Sequence, residues 1–385
     1  MIDDPEMSNA LLPIGFRDLL PPYAQNEDEI VQWMIDAFSD YGYERVSPPL
    51  LEFEQSLLLH AGSGIAEQTF RVMDPETHYM MGLRPDITPQ IARIAATRLV
   101  NSPRPLRLSY AGPCVLVSGA KHSAARQILQ AGIELIGIDS PQADAEIIIV
   151  TAEAMGVEDL LPPISIDLMM PQLANSIIQT ENFDEQQTKL LMRALDRKDV
   201  AAVQQYGGSL AGILTTMLQA AGPADRAIEM LKGLDLPADS QQLLDRLFTV
   251  VQAVKTHNPL LQLTIDPVEF RGWDYHTGLC FSVYMSGISG EVGRGGRYLS
   301  NNGEPACGLT LRPDLLLPLI NDDDCFQRER VFIPFGYTIE EVRGLRQDGY
   351  ILLMGLTEEE DALTEARRLN CNYILQDKEL KAVAD

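Results

Sequence analysis

Residues 110–137, YAGPCVLVSGAKHSAARQILQAGIELIG, constrain the fold more than any other stretch. Two apolar runs flank a polar loop, the pattern of a hairpin with a long tip. On the second strand a period of two sets Leu129, Ala131, Ile133 and Leu135 on one face. Gln130, Gly132 and Glu134 share the other face, with Ile128 and Ile136 at its ends. The first face belongs to a core. The second, an amide, a bare backbone position and a carboxylate, is either the floor of a small polar pocket or the wet face of an edge strand. On the first strand the row Cys114, Leu116, Ser118 puts a plain leucine beside that floor.

The flanking segments extend the sheet. Ile30, Met34, Ile35 and Phe38 recur at helical spacing and predict a helix, followed by an extended segment before Pro48-Pro49. QTFRVMDPETHYMMGLRPDIT predicts a hairpin turning at Asp74-Pro75, and Pro89 opens the next helix. SPQADAEIIIVTAEAMG predicts a helix with Ser140 near its N-cap. Strands return in LTIDPVEFRGWDYHTGLCFSVYMSG. A glycine-rich bend, GEVGRGGRY, follows, then EPACGLTLRPDLLLPLI as strand into helix. An antiparallel sheet with helices on one side is an α+β architecture.

Its core takes residues 1–168 and 258–320. Residues 169–257 change texture to alanine, leucine and glutamine at helical periods, with no clear strand, and read as a helical insertion. After the acidic linker NDDDCFQRER, residues 328–385 alternate strand and helix as a small α/β domain.

Composition narrows the function. The 385 residues include 55 acidic and 30 basic ones, a formal charge of -25. Such a field repels nucleic acid unless a basic patch overrides it, and the one modest cluster, Arg98, Arg104 and Arg107, lacks interleaved aromatics. Five scattered cysteines (Cys114, Cys280, Cys307, Cys325, Cys371) give no close pair, which argues against a disulfide framework or zinc site. Five scattered histidines give no metal-ligand spacing, so no metal and no cofactor is expected. The N-terminus has no apolar h-region, and no run reaches the ~18 apolar residues of a membrane span. A cytoplasmic protein is expected.

Four polar segments remain. In RPDIT, Arg84, Asp86 and Thr88 sit at a strand-to-helix loop, where they either hold a ligand or cap the helix. The segment EFRGWDYHTGLCF carries Arg271, Asp274, Tyr275 and His276 among strand glycines. GEVGRGGRY lacks the P-loop ending and the dinucleotide spacing, so it is a weak nucleotide signal. Together with Gln130 and Glu134 these segments offer acids for an ammonium and an arginine for a carboxylate. That set suits a zwitterion.

At this point the chain resembles the histidyl-tRNA synthetases. GFRDLLPP, YGYERVSPPLLE, LRPDITPQIAR, RQILQAGIELIG, RGWDYHTG, GRGGRY and GLTLRPDLL follow that family's class II catalytic core in order, over roughly residues 11–320. The resemblance implies a class II aminoacyl-tRNA synthetase-like sheet. It also implies a dimer through the segment ending at Pro49 and Glu52. Its histidine contacts fall on Asp86 (glutamate in the family), Thr88, Gln130, Glu134, Arg271, Tyr275 and Tyr298, and His276 stands where the family has tyrosine.

The departures concern ATP. The arginine that grips the α-phosphate falls on Leu116, and the glutamate after it on Ser118. The loop's basic residues have thinned to Lys121 and Arg126. In the last motif the glutamate and ATP-binding arginine fall on Asp314 and Leu315. Charge-assisted contacts are each worth roughly 1.5–3 kcal/mol, so losing both arginines removes adenylation; no catalytic residue is expected. The tail of roughly sixty residues is too short for the usual anticodon-binding domain.

A core of this kind is similar to the regulatory subunits of ATP phosphoribosyltransferase. That resemblance implies a non-catalytic chain in the first step of histidine biosynthesis, carrying feedback by L-histidine. The implied partner is a short-form catalytic subunit in a hetero-oligomer, a hetero-octamer. Two other readings stay open: a degenerate histidine-activating enzyme, which pyrophosphate exchange would reveal, and a tRNA-binding sensor, which filter binding across salt would reveal.

Overall fold

The computed structural model describes residues 12–58, 63–119, 124–156, 161–269, 276–320, 328–358 and 361–383. The chain divides into two compact units, residues 1–320 and 321–385.

The first unit opens with α1 (Tyr23–Asp40), β1 (Glu44–Arg45), β2 (Leu51–Phe53), α2 (Glu54–Leu57) and α3 (Ser63–Gln68). Next come β3 (Phe70–Met73), β4 (Met80–Leu83), α4 (Thr88–Thr97), β5 (Leu106–Val115), β6 (Gln127–Ile136), α5 (Pro141–Met155) and β7 (Ile164–Met169). The middle of the chain is α6 (Pro171–Ile178), α7 (Glu185–Asp196), α8 (Val200–Tyr206), α9 (Ala211–Ala220), β8 (Gly222–Pro223), α10 (Ala224–Leu231) and α11 (Ala238–His257). β9 (Gln262–Asp266), β10 (His276–Met285), β11 (Gly293–Leu299) and β12 (Pro305–Leu311) complete it.

Nine strands form one sheet in the order β1-β5-β6-β12-β11-β10-β7-β9-β8. Most neighbours are antiparallel, as expected, but β1 runs parallel to β5 and β7 to β9. A parallel pair needs a long crossover, and helices α6 to α11 lie on the connection between β7 and β9. The short β8, which the helical texture hid, pairs with β9 at the sheet edge.

The apolar stripe of α1 is buried as its spacing predicts, and Ser140 caps α5 by accepting from the Ala143 N–H at 3.1 Å. Helices cover both faces of the sheet here, not one. α5 meets the face that carries Arg107, Arg297 and Cys307, through the Arg107–Glu146 and Arg297–Asp144 pairs and the Cys307 thiol on the Ala143 carbonyl. On the opposite face Ile87, Ile91 and Ala95 pack against Leu106, Leu108, Tyr110, Cys114, Ile128 and Ile136.

Two local expectations are corrected. The glycine-rich segment is a strand, β11, not a bend. A Cβ at Gly295 would collide with the Phe281 ring and the Gly308 carbonyl, so glycine here serves close packing of strands. After β12 the chain makes two 3-10 turns, Pro313–Leu315 and Leu317–Leu319, in place of a helix. Two prolines five residues apart deny an α-helix its ladder.

In the second unit β13 (Arg330–Ile333), α12 (Arg343–Gln347), β14 (Ile351–Met354), α13 (Ala362–Arg368), β15 (Tyr373–Gln376) and β16 (Glu379–Ala382) follow in order. The sheet order is β14-β13-β15-β16, with β16 an antiparallel edge strand that the sequence reading lacked. Val331, Phe332, Ile333, Ile374 and Leu375 form its buried centre.

Candidate functional site

Strand register assembles the site. Glu134 on β6 lies opposite Gly308 on β12, and Gly308 lies opposite Gly296 on β11. One row along, Gly132, Thr310 and Arg294 are aligned; one row back, Ile136, Ala306, Tyr298 and His276. All point to the same side, because side chains alternate with a period of two. Of these, Glu134, Gly308, Gly296, Thr310, Arg294, Tyr298 and His276 line a cavity of about 260 Å³ together with Asp86, Thr88, Ile128, Gln130, Glu291, Arg312 and Leu315.

Gln130 and Glu134 are therefore not on a wet edge. β6 lies between β5 and β12, and the two residues are 6% and 1% exposed. The glycines make the room: a Cβ at Gly308 would run into the Glu134 carboxylate, and one at Gly132 into the Tyr110 hydroxyl. Tyr298 donates its hydroxyl proton to Glu134 Oε2 at 2.7 Å. Burial nevertheless raises the Glu134 pKa to about 8, against the pull of the Tyr298 and Thr88 hydroxyls, with nearby Asp86 adding to the rise.

Asp86 does two jobs. One carboxylate oxygen accepts from the Thr88 N–H at 3.0 Å, the capping role, while the residue also lines the cavity. Burial raises its pKa, opposed by the backbone amides of Thr88 and Ile87, by Arg294 and by Gln130. Gln130 is fixed by its neighbours: its Oε1 accepts from the Ile87 N–H at 3.0 Å and from the Cys114 thiol at 3.3 Å. That leaves its amide N–H groups as donors. Thr88, Tyr110 and Thr310 join hydroxyls at 3.1 and 2.7 Å across three elements. His276 has its pKa lowered to about 3 by burial first and Arg294 second, so the imidazole is neutral.

Of the seven residues expected to hold a ligand, Asp86, Thr88, Gln130, Glu134 and Tyr298 converge here. Arg271 and Tyr275 lie outside the described residues, as does Lys121. Arg84 is structural: its guanidinium reaches the carbonyls of Pro113 and Pro48, both at 2.9 Å. Sequence reasoning missed Tyr110, Thr310, Glu291, Arg294 and Arg312. Alternation in CGLTLRP puts Gly308, Thr310 and Arg312 on one face, and that signal was there to be read.

The positions that the resemblance assigns to ATP are built differently. Leu315 lines the cavity, and Leu116 packs against the cluster of Ile87, Tyr110 and Cys114. Ser118 bonds to Gln68 through its N–H at 3.1 Å. Arg126 lies over the rings of Phe16 and Phe70 at 5.3 and 4.9 Å. A second cavity of about 550 Å³ shares Ile128, Ser289 and Leu315 with the first, and among the described residues its charged lining is Arg17, Glu27 and Asp314. Among the described residues no group of three or more His, Cys, Asp or Glu is placed to hold a metal ion. Among them, too, no helix is long and apolar enough to cross a membrane.

Fold and site together define a class II synthetase-like protein. The histidyl-tRNA synthetase family profile matches residues 15–316. A solved histidyl-tRNA synthetase from a Nostoc species superposes with a TM-score of 0.80 at 18% identity, covering 96% of this chain and 91% of that one. A Bacillus halodurans structure titled ATP phosphoribosyltransferase regulatory subunit/histidyl-tRNA synthetase gives 0.77 at 23%, covering 95% and 97%. Sequence relatives narrow the class. The ATP phosphoribosyltransferase regulatory subunit of Gluconobacter oxydans is 50% identical over 373 residues, 96% of each chain. Those of Paramagnetospirillum magneticum and Rhodospirillum centenum are 46% and 43% identical, covering 96% and 100% of both chains. The chain belongs to the ATP phosphoribosyltransferase regulatory subunit family.

Proposed function

We propose that this chain is the histidine-sensing, non-catalytic subunit of an ATP phosphoribosyltransferase. It joins a short-form catalytic subunit in a hetero-oligomer, a hetero-octamer, and pairs with itself through the synthetase-like core. L-Histidine is the effector, and the cavity on β6, β11 and β12 is its site. One observation carries this: two carboxyls, Asp86 and Glu134, share a cavity of about 260 Å³ with hydroxyl and amide partners. That volume is below the roughly 300 Å³ at which drug-sized pockets begin. It suits one amino acid with an ammonium and a second N–H-bearing group. Asp86, Thr88, Gln130, Glu134 and Tyr298 are the proposed contacts, with Arg271 and Tyr275.

Adenylation is disfavoured by the adjoining cavity. Among the described residues its charged side chains are two acids and one base, and Glu27 has its pKa raised by burial and then by Asp314. Two acids beside Arg17 oppose the charge of a triphosphate.

The expected result is that the isolated chain binds L-histidine in calorimetry and catalyses no ATP–pyrophosphate exchange. In the complex, phosphoribosyl pyrophosphate should change histidine affinity by roughly 5- to 150-fold, since coupling is reciprocal. Robust exchange, or equal affinities with and without that substrate, would sink the reading.

A single methyl group tests the site's location. Gly308→Ala drives a Cβ into the Glu134 carboxylate, so histidine affinity is expected to fall at least tenfold while circular dichroism is unchanged. Full affinity in this variant would move the site elsewhere.

A further inference from the structure

Two arginines reach the cavity from positions where the sequence reading assigned no ligand role. Arg294 on β11 stands opposite Thr310, and the Arg312 N–H, one residue past the end of β12, donates to the Val292 carbonyl, so the two are diagonal neighbours. Both line the cavity that holds Asp86 and Glu134. Asp314 fixes the Arg312 guanidinium through Nε at 2.9 Å and Nη2 at 2.7 Å, a bidentate pair that does not use Nη1. Arg294 lies 3.7 Å from Glu291, an ion pair at the cavity's mouth with 43% of the arginine side chain exposed. It lines the cavity together with Asp86 and His276, and its charge opposes the burial-driven rise of the Asp86 pKa.

The two poles stand on either side of β12. Glu134 faces Gly308, and Arg294 faces Thr310, two residues along the same strand. Two strand residues span about 6.8 Å and two strand spacings about 9.6 Å, so the two Cα positions stand roughly 12 Å apart. Both long side chains line the same cavity, as do Thr88 and Thr310, so an acid and a base face one enclosed space.

We propose that Arg294 is the carboxylate anchor of the cavity, with Arg312 held by Asp314 as a second cation beside it. This rests on the reading of the cavity as an amino-acid site, and it adds to Arg271, to which the family resemblance gives the same task. The planar guanidinium of Arg294 matches a carboxylate in a two-point contact. The ligand carboxylate takes over Arg294 from Glu291, which retains the Ser282 hydroxyl at 2.9 Å.

The test compares L-histidine with histamine, the same molecule without its carboxylate, by calorimetry on the full chain. Wild type is expected to prefer histidine. Arg294→Gln should weaken histidine by roughly 10- to 150-fold and leave histamine within about threefold. Arg294→Lys should recover part of the loss, and Arg312→Gln should show the same selective loss, smaller in size. Equal losses for both ligands would make Arg294 a structural residue and overturn the anchor, as would full histidine affinity in Arg294→Gln. Wild type binding neither ligand would overturn the amino-acid reading itself, and the anchor with it.

Discussion

Glu134→Gln is expected to remove histidine binding and, at the same time, to make the protein more stable in alkali. The carboxyl is 1% exposed, and burial raises its pKa to about 8 from 4.5. The folded state therefore binds a proton that the unfolded state releases between those values. The stability from neutral Glu134 is fully present below pH 4.5 and is lost as pH rises through 8. At ~1.4 kcal/mol per unit the loss approaches about 5 kcal/mol as an upper bound. Glutamine stays neutral and keeps an acceptor for the Tyr298 hydroxyl, so it carries no such penalty. Melting temperatures of the two proteins should coincide near pH 5 and diverge in favour of the variant up to pH 8 or 9. A variant less stable at every pH would refute the assignment.

Binding moves the other way. A ligand cation beside Glu134 restores the carboxylate, so wild-type affinity should rise with pH until about 8, where the group ionises unaided. The variant lacks this dependence, and the difference in slope between the two proteins isolates Glu134 from the ligand's own titration. Losing a buried charge partner costs roughly 2–5 kcal/mol, or about 30- to 5,000-fold in affinity. A site that weakens its own fold in order to recognise a cation is the usual trade of stability for function.

Much of this site could be read from the chain because it rests on local periodicity. Alternation over residues 128–136 put Gln130 and Glu134 together, and burial of the strand on both sides decided between pocket and wet edge. Asp86 and Thr88 were legible as a loop before a helix. Arg294 and Tyr110 were not, and alternation could show Thr310 beside Gly308 but not beside these two, since their shared row exists only through the register β5-β6-β12-β11. Register is a long-range property that one strand's pattern cannot fix. Likewise GRGGRY looked like a bend, because three glycines near one another lower the strand preference that Phe281 and Gly308, distant in sequence, in fact require. The parallel pairs β1–β5 and β7–β9 escaped for the same reason.

The largest stability effect is expected from the opposite face of β11. Arg297 is 4% exposed and Asp144 2%, and they form an ion pair at 2.6 Å with a second bond from Nε at 2.8 Å. Arg297 also donates to the Ile138 carbonyl at 3.0 Å, and Asp144 accepts in addition from Arg246 of α11 at 2.7 Å. One buried carboxylate thus ties the sheet to α5 and α11. Arg297→Met strips it of its best partner while keeping much of the apolar stem, so packing alone does not explain the loss. Breaking such a pair costs roughly 3–5 kcal/mol, because an uncompensated charge stays behind. The double variant Arg297→Met/Asp144→Leu removes both charges, leaves Arg246 on Asp139 at 2.8 Å, and should be less destabilised than the sum of the single changes. Denaturant titrations of the four proteins measure this directly. Tyr298 follows Arg297 on the strand and points to the cavity, so the single variant should also loosen the hydroxyl on Glu134 and lower histidine affinity. A single-variant loss under about 1 kcal/mol would place the pair in contact with water, and the cavity would then owe its shape to the glycines alone.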